Sequence, residues 1–561
     1  MRVRAARPSS TALVAVTVLS VALSCVIYAR AVRTAGPLNW DEGFHALHGL
    51  RAATEIREGD LVRLGYDAYR SVYWPPLHAL WSGAFFLLFG ATAEVARASS
   101  LPAYAATAFL LALAALRARG RVATLVAAAS FLLSPVAARL AGQSLTDVPA
   151  LAFFSFAFFL YVDGRRPALL GLAVFATYLM RTNYGVLLAL GLALAFAADG
   201  AFARNLPEGD PRRAVRDSAL RALAALALPL LVWFAYPPKI VHTVAALANL
   251  PTGPAPFIAE GLLYYPRVAV GLAGTLPLLL AWGTALVLSL GRRALADRNV
   301  RLAVFLTLLQ IVFAEISHTK LDRHILPLAF LLPFLLGVLV DDLWARPGSL
   351  ARGAMVVAAA ALLALQAPAF LACLAPPAGR DGDAVLRAVA GEMARGGRTA
   401  FVASESSLVP PAACDFDLVA SRAVPLDGSA ALQTASEMRL AAGGGTLPGP
   451  IGRRILEEAR RWPGSGSYSV YLGLPRGDEP FRWKASDFPR RLAALVGRAP
   501  VDRIVALVDA SGGDFSVTPA LLDRAVTPLG YVPESPLTPS PGTVLLRYRR
   551  AAQAGAESRA P

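Results

Sequence analysis

Long apolar runs, separated by short polar segments, fill the first two thirds of the chain. The pattern predicts eleven transmembrane helices, at about residues 11–29, 98–116, 122–138, 148–162, 168–180, 184–198, 219–236, 268–290, 302–316, 325–340 and 353–372. A further run, Leu77–Gly90 (LHALWSGAFFLLFG), is shorter than the ~20 residues that a span usually needs. We therefore predict that Leu77–Gly90 forms a juxtamembrane or re-entrant helix.

The arginines predict which side of the membrane each segment occupies, because short cytoplasmic loops carry an excess of Lys and Arg. With eleven spans, every dense cluster lies on the side of the N-terminus; the clusters are Arg2/Arg4/Arg7, Arg117/Arg119/Arg121, Arg165/Arg166, Arg204/Arg212/Arg213/Arg216, Arg292/Arg293/Arg298/Arg301 and Arg346/Arg352. If Leu77–Gly90 crossed as well, every cluster after the first would move outside. We predict an all-α polytopic membrane domain over residues 1–372, with a cytoplasmic N-terminus and an extracytoplasmic C-terminus.

Composition excludes a soluble globular protein of ordinary make-up. Of 561 residues, 56% are hydrophobic and 16% are charged, and the mean hydropathy is +0.52. The net charge of +16 comes from arginines clustered between apolar runs, so it indicates membrane topology and not a nucleic-acid partner. The N-terminus has the form of a signal peptide, but its apolar run is long enough to span, so we expect an uncleaved first helix.

The pattern changes after residue 372. A polar region rich in Gly and Pro contains short β-like runs at 399–402 and 503–508, with an amphipathic stretch at 455–461. We predict a small extracytoplasmic α/β domain of unknown role over residues 375–550. Residues 551–561 have the composition of a disordered tail.

Acidic residues lie near the predicted outer ends of two spans. Asp41 and Glu42, in the stretch NWDEGFH, follow the first span, and Asp147 directly precedes the fourth. One loop carboxylate by itself is usually solvated or caps a helix. A carboxylate near membrane depth is costly unless it is paired or used, so the two loops predict an outer site with all three as candidate catalytic groups. His45, in the same stretch, is expected to be a loop residue.

Cations occupy the same predicted face. Arg181 ends the fifth span on the outer side, against the positive-inside trend. Lys320, Arg323 and His324 stand together just before the tenth span. Any one of them could be a basic side chain that reaches back to the interface. Several cations opposite outer acids indicate a site for a phosphate-bearing substrate, because Arg offers paired N–H donors and Lys a point charge.

The ordered stretches resemble a known family. Asp41-Glu42, then WPPLHALWSGAFFLLFGATAEVAR ending at Arg97, then SLTDVPALAFF around Asp147 are similar to GT-C glycosyltransferases of the protein mannosyltransferase and aminoarabinose transferase type (glycosyltransferase family 39-like). The resemblance covers roughly residues 1–345. It implies a GT-C membrane domain that takes a sugar from a polyprenyl-phosphate carrier on the outer side and passes it, with inversion, to a protein, lipid or glycan.

The resemblance also implies roles for individual residues. Asp41 matches the first-loop acid that acts as general base or positions the acceptor, Glu42 is its neighbour, and Asp147 matches the second-loop acid. Relatives often have Thr-Lys-Gly where this chain has Arg181-Thr182-Asn183, and Arg-Tyr where it has Arg323-His324. We expect the donor phosphate to be bound by Arg181, Lys320, Arg323 and His324, and the substrate site to be lined by Tyr73, Trp74 and Asn183.

The chemistry suits these residue types. An acceptor hydroxyl or amine needs a base within hydrogen-bond reach, and a departing polyprenyl phosphate needs cations to stabilise its growing negative charge. Asp41 and Asp147 could also hold a divalent metal ion through their oxygens, a possibility that the sequence leaves open. We expect an integral protein of a bacterial inner membrane.

Two other classes of function remain as alternatives. A transporter or flippase of lipid-linked substrates predicts ionisable residues within the spans and repeat symmetry. Here only Glu315 lies near a span end, and no internal repeat is evident. A membrane-anchored binding protein would have its function in residues 375–550, and substitutions of Asp41 or Asp147 would leave that function intact.

Overall fold

A computed structural model describes residues 10–35, 40–70, 76–203, 210–236, 239–240, 261–316, 322–345, 348–375, 388, 391–392, 399–403, 493, 502–509, 519–540 and 543–551. The helices up to the end of the predicted sixth span are α1 (Ser10–Ile27), which continues as a π-helix (Tyr28–Val32), α2 (Trp40–Arg57), α3 (Leu61–Arg70), α4 (Leu77–Phe89), α5 (Ala93–Ala98), α6 (Ser100–Ala118), α7 (Arg121–Leu132), α8 (Pro135–Ala141), α9 (Asp147–Asp163), α10 (Pro167–Met180) and α11 (Thr182–Ala203).

The remaining helices of the first two thirds are α12 (Asp210–Phe234), α13 (Gly261–Ala273), α14 (Leu276–Ser289), α15 (Arg292–Leu295), α16 (Arg298–Ile316), a 3₁₀ turn (Asp322–Ile325), α17 (Leu328–Trp344) and α18 (Ser349–Cys373). Each apolar run of the sequence coincides with one of these helices or with two in succession. Among the described residues, six helices are long and apolar enough to cross a membrane, or seven if the bent pair α7 and α8 forms one span. The expected count of eleven spans is therefore not established by helix length.

Several helices are shorter than the usual spanning length, and the buried fraction differs widely between helices. Helix α10 has 14 residues and α9 has 17, while a helix that crosses by itself needs ~20. In the most apolar stretch of each candidate span, 78% of the residues are buried for the span that contains α17. The corresponding fractions are 12% for α18 and 11% for α12. Helix α17 thus lies at the centre of the bundle. Helices α12 and α18 expose leucine and valine side chains at its periphery, as lipid-facing helices do.

The chain bends by 62° between α7 and α8. Pro135 begins α8 and cannot donate the backbone hydrogen bond that would continue α7. Side chains from other helices satisfy the backbone near the break: Tyr104 Oη donates to the Leu132 carbonyl, and Gln366 Nε2 donates to that of Ser130 at 3.3 Å. Backbone of this kind is tolerated at membrane depth where protein surrounds it.

Glycines allow two pairs of helices to approach closely. A Cβ at Gly171 in α10 would collide with the carbonyl oxygen of Ala222 in α12. A Cβ at Gly337 in α17 would lie 2.6 Å from the carbonyl oxygen of Ala123 in α7. These small residues bring the helix backbones together, as is common in membrane bundles.

The described residues between α1 and α4 are mostly helical, which differs from the expected loop. NWDEGFH runs into α2, whose Ala46 and Ala53 pack against Phe86 of α4. Gly49 and Gly83 let the same two helices come into backbone contact. Helix α2 has little hydrophobic periodicity of its own, and packing on α4 stabilises it. The same packing places Glu42 and His45 in buried positions.

Charged helix ends form a network at one end of the bundle. Arg119, after α6, contacts Asp297 at 2.5 Å and Asp342 at 2.9 Å. Arg301 of α16 forms a buried ion pair with Asp199 of α11. The arginines belong to clusters that the sequence analysis assigned to one side of the membrane, and the structure brings these clusters into shared ion-pair networks.

The described strands near the C-terminus form a four-stranded mixed sheet. They are β1 (Thr399–Ala403), β2 (Arg503–Asp509), β3 (Tyr531–Ser540) and β4 (Thr543–Arg550), in the order β1-β2-β4-β3. Strand β1 pairs with β2 in parallel, and the other pairs are antiparallel. Helix α19 (Pro519–Val526) covers one face through Leu522 and Val526. The edge strand β3 contains Pro533, Pro536 and Pro539.

Candidate active site

Glu42 connects the two outer loops that the sequence analysis singled out. Its carboxylate accepts hydrogen bonds from Arg97 Nε at 2.9 Å and from Arg97 Nη2 at 3.0 Å, and both side chains are buried. The backbone N–H of Ser144 also donates to Glu42 Oε1 at 3.0 Å. A bidentate, charge-assisted contact of this kind is geometrically specific. Glu42 therefore fixes the start of α2 against the loop that leads to Asp147.

Asp41 stands next to Glu42 in the first turn of α2. The structure describes its backbone, and its side chain lies outside the described part. Because Glu42 ties this turn to the loop at Ser144, the backbone of Asp41 belongs to the same corner of the molecule. An acidic residue is also favoured in the first turn of a helix by the helix dipole.

Asp147 is fully buried in the first turn of α9 and forms an ion pair with Arg181, with 2.6 Å between Oδ2 and Nη1. The contact is an ion pair of short distance and not a well-aligned hydrogen bond. Arg181 Nη1 also donates to Thr146 Oγ1 at 3.1 Å. Both residues were predicted on the outer face. The ion pair offsets the cost of burying the Asp147 carboxylate.

Arg181 ends α10 in an extended conformation and turns the chain into α11. Its Nε donates to Oδ1 of the exposed Asn183 at 3.0 Å, and its Cζ lies 5.2 Å from the centre of the Tyr184 ring. The Tyr184 hydroxyl lies 3.5 Å from the carbonyl oxygen of Arg323. Arg181 is therefore held by polar contacts on one side and an aromatic face on the other.

The 3₁₀ turn at 322–325 brings the second group of cations to the same place. Asp322 pairs with Arg139 of α8, and the His324 carbonyl accepts a hydrogen bond from Gln310 Nε2 at 2.7 Å. The side chains of Arg323 and His324 are half-buried. The turn is thus anchored to α8 and α16, with Arg323 near Tyr184.

Two buried histidines adjoin this region; the sequence analysis placed His45 in a loop and gave His78 no role. The rings of His45 in α2 and His78 in α4 lie 4.9 Å apart, edge to face. Burial, then the neighbouring His78 and His48, then Arg181 and Arg323 hold the pKa of His45 well below its usual range. The signal was the spacing: in a helix, His45 falls one turn after Asp41 on the same face. Reading NWDEGFH as a loop hid that spacing.

Three further predicted site residues are untested by the structure. Lys320, Tyr73 and Trp74 lie outside the described residues. Among the residues that are described, no three His, Cys, Asp or Glu side chains are grouped as a metal site. Asp147 already faces a cation, Arg181, so the described residues do not form the oxygen cage that a divalent metal ion requires.

A separate cluster lies beyond the end of α12. The Lys239 amine, which is buried and makes no hydrogen bond, lies 2.9 Å from the ring centre of Trp233 and 4.3 Å from that of Tyr69 in α3. Tyr236 stands 5.9 Å away. Burial lowers the pKa of Lys239 to about 6. We call these four residues the lysine cage; it joins α3 to the C-terminal end of α12 and the residues that follow it.

Comparisons with known proteins give a likeness in structure. No protein-family model matches the sequence, and no curated protein matches it. The structure of ArnT from Cupriavidus metallidurans bound to undecaprenyl phosphate superimposes with a TM-score of 0.57 at 15% identity, over 94% of this chain and 97% of that one. ArnT in the apo state gives 0.57 and 15%, over 95% and 98%.

A weaker likeness, on which no conclusion rests, is to the oligosaccharyltransferase AglB from Archaeoglobus fulgidus, with a TM-score of 0.49 at 13% identity over 96% of this chain and 74% of that one. The ArnT structures align along nearly the whole of both chains. ArnT is an aminoarabinose transferase and a GT-C glycosyltransferase. This chain therefore shares the fold of ArnT along nearly its whole length.

Proposed function

We propose that the protein is an integral membrane glycosyltransferase that moves a sugar from a polyprenyl-phosphate carrier to an acceptor on the extracytoplasmic face, with inversion. The observation that carries the proposal is the ion pair between Asp147 and Arg181, next to the turn that contains Arg323. Glu42 of α2 accepts a hydrogen bond from the loop that leads to Asp147 and so holds α2 beside this pair. The GT-C fold and the apolar spans support it. In ArnT, the bound molecule is undecaprenyl phosphate.

In the proposed reaction, Asp41 takes the proton from the acceptor hydroxyl or amine as its oxygen or nitrogen attacks the anomeric carbon. The bond from that carbon to the phosphate oxygen breaks on the opposite face of the sugar, and the phosphate keeps the electron pair. A general base contributes roughly 10²–10⁴-fold to such a step. Asp147 holds Arg181 in place for the phosphate.

Arg181 and Arg323, with Lys320 and His324, stabilise the charge that grows on the departing phosphate. Tyr73, Trp74 and Asn183 line the substrate site in this proposal. Glu42 acts through position, since its carboxylate is engaged by Arg97 and by the backbone N–H of Ser144.

The same proposal includes the topology. It has eleven spans, a cytoplasmic N-terminus and an outer C-terminal domain over residues 375–550, following the membrane domain at 1–372. The ion pairs among Arg119, Asp297 and Asp342 support one shared inner face, because positive-inside clusters would then lie together. A bacterial inner membrane is the proposed location.

The test is sugar transfer by the purified protein in liposomes, from labelled polyprenyl-phosphate sugars to a panel of acceptors. Asp41→Asn should lower the transfer rate by ~10²-fold or more while the protein stays folded. The matched control is Glu58→Gln, which removes an exposed carboxylate just past the end of α2. Full transfer by Asp41→Asn would remove the general base from the proposal. Translocation of the donor without transfer would show a flippase.

A further inference from the structure

Two exposed arginines meet at the C-terminal end of α9, far from the candidate active site. Asp163, the last residue of α9, has its Oδ1 at 3.6 Å from Arg117 Nη2 in the last turn of α6. The same oxygen lies 3.9 Å from Nε of Arg165, in the loop before α10. Asp147 stands at the other end of this 17-residue helix, ~24 Å away along its axis. One carboxylate thus gathers two guanidinium groups at the opposite end of the bundle from the proposed reaction.

The charges of this group do not balance. The Asp163 side chain is 12% exposed, whereas those of Arg117 and Arg165 are 48% and 71% exposed. One carboxylate offsets one of the two cations, and Arg166, next in the chain, is exposed as well. The described side chains therefore present a surplus of positive charge to the surroundings, which a bound anion would offset.

An apolar face of α9 leads away from these charges. Most residues of α9 are buried, but its half-buried residues include a set spaced by three or four positions, Ala152, Phe156, Phe159 and Asp163. This spacing places them on one side of the helix. The partly open side of α9 is therefore apolar along its length and ends at the carboxylate that gathers the arginines.

The two helices that pack on α9 continue this apolar surface. In α6, the half-buried Leu110 and Leu113 lie on the same side of the helix as Arg117. The contact between Arg117 and Asp163 joins that side of α6 to the open side of α9. Helix α10, which follows the loop with the second arginine, exposes Leu172. Apolar side chains left open on a membrane bundle are covered by lipid chains.

We propose that this surface binds an anionic phospholipid, with its phosphate between Arg117 and Arg165 and its acyl chains along Phe156, Phe159 and Leu172. Guanidinium groups suit a phosphate because they offer paired N–H donors. A soluble anion would reach the arginines and leave the phenyl rings uncovered. A zwitterionic lipid would add a cation beside the surplus positive charge. In the proposed topology this lipid belongs to the inner leaflet, and its binding is independent of sugar transfer.

The experiment is photolabelling of the full-length protein in phosphatidylcholine nanodiscs. The probe is a minor fraction of phosphatidylglycerol that carries a diazirine in one acyl chain, and a parallel sample contains phosphatidylcholine with the same chain. Labelled residues are located by peptide mass spectrometry. The variants are Arg117→Gln and Arg165→Gln. The matched control is Arg216→Gln in α12, which changes an arginine that is 69% exposed and lies 3.5 Å from Asp217.

We expect phosphatidylglycerol to label α9 and α10 around Phe159 and Leu172 more strongly than phosphatidylcholine does. Either variant should lower the labelling by phosphatidylglycerol by about fivefold, since a basic residue at an anionic membrane surface contributes ~1 kcal/mol. Arg216→Gln should label as wild type does. An excess of unlabelled phosphatidylglycerol should displace the probe, and inorganic phosphate should not.

Equal labelling of wild type by the two headgroups would overturn the proposal, even if the variants fail to fold. Undiminished labelling by phosphatidylglycerol in variants that are folded by thermal unfolding would overturn it as well. Displacement by inorganic phosphate would assign the arginines to a soluble anion. Displacement by undecaprenyl phosphate at lower concentration than by phosphatidylglycerol would assign the surface to the carrier lipid and remove the phospholipid.

Discussion

Glu42 and Arg97 form the buried ion pair that joins α2 to α5 and to the second outer loop. Two charges without water are costly, and their mutual contact offsets that cost only while both are present. The pair therefore behaves asymmetrically towards substitution: losing one partner should be worse than losing both. This asymmetry distinguishes a role of Glu42 and Arg97 in holding the fold from a role in the reaction.

We predict that Arg97→Met lowers the stability of the folded protein by ~3–5 kcal/mol, because Glu42 is left as a buried unpaired charge. The double variant Glu42→Gln/Arg97→Met should recover much of that loss. The measurement is unfolding of the protein in detergent, with Arg117→Met as control, since Arg117 is half exposed and pairs with Asp163 at 3.6 Å. Equal losses in the single and double variants would contradict a coupled pair.

Single residues also show what the sequence could and could not predict. The cost of a carboxylate at membrane depth pointed to a partner for Asp147, and the structure pairs it with Arg181. The same reasoning did not reach His45 or Arg97. The position of His45 and the pairing of Arg97 with Glu42 depend on α2, which packs on α4 and has no clear apolar period in the sequence.

At the level of elements, the lysine cage joins α3 to the end of α12 through one buried amine. Burial lowers the pKa of Lys239 to about 6 in the folded protein, compared with 10.5 for a free lysine side chain. The unfolded chain binds this proton more tightly, so the amine opposes folding fully below about pH 6. The opposition fades as pH rises from there towards the ordinary lysine value.

We predict that Lys239→Met raises the thermal unfolding midpoint at pH 6.5 and raises it less at pH 9.5. The methionine fills the same space against Trp233 and Tyr69 without a buried amine. The control is Arg216→Met, an exposed residue of α12, whose effect should be small at both values. A lower midpoint for Lys239→Met would mean that the rings stabilise the charged ammonium by more than its burial costs.

The elements were also only partly predictable. Apolar runs predicted the position of every described helix from α6 to α18 except the four-residue α15. A helix buried in lipid and a helix buried in protein both need an apolar run, so the runs mark either kind. They could not show whether a short apolar helix such as α10, with 14 residues, crosses the membrane. The bend at Ser134–Pro135 has a local signal, the proline, but its tolerance depends on Tyr104 and Gln366 from distant helices.

At the scale of the whole molecule, the arrangement of charges determines the topology that the proposed function requires. The outer acids and cations must share one side, and the arginine clusters must share the other. The fold matches that of ArnT over nearly the full length of both chains. The orientation itself needs a chemical measurement.

We predict that, in a background with Cys25, Cys373 and Cys414 changed to Ser, Gly382→Cys is labelled by an impermeant maleimide on intact cells. Arg293→Cys, on the exposed surface before α16, should react only after the cells are permeabilised, because its cluster is expected inside. The reverse pattern would invert the topology, and it would place the Asp147–Arg181 pair on the cytoplasmic side.

The edge strand β3 has a consequence for how copies of the protein behave near each other. Molecules confined to one membrane plane meet often and in similar orientations, and an open strand edge would let their sheets join into fibres. Prolines at 533, 536 and 539 remove N–H donors from that edge. The sequence thus limits self-association on the β3 side through missing backbone N–H donors and not through charge. This protection should therefore persist at any salt concentration.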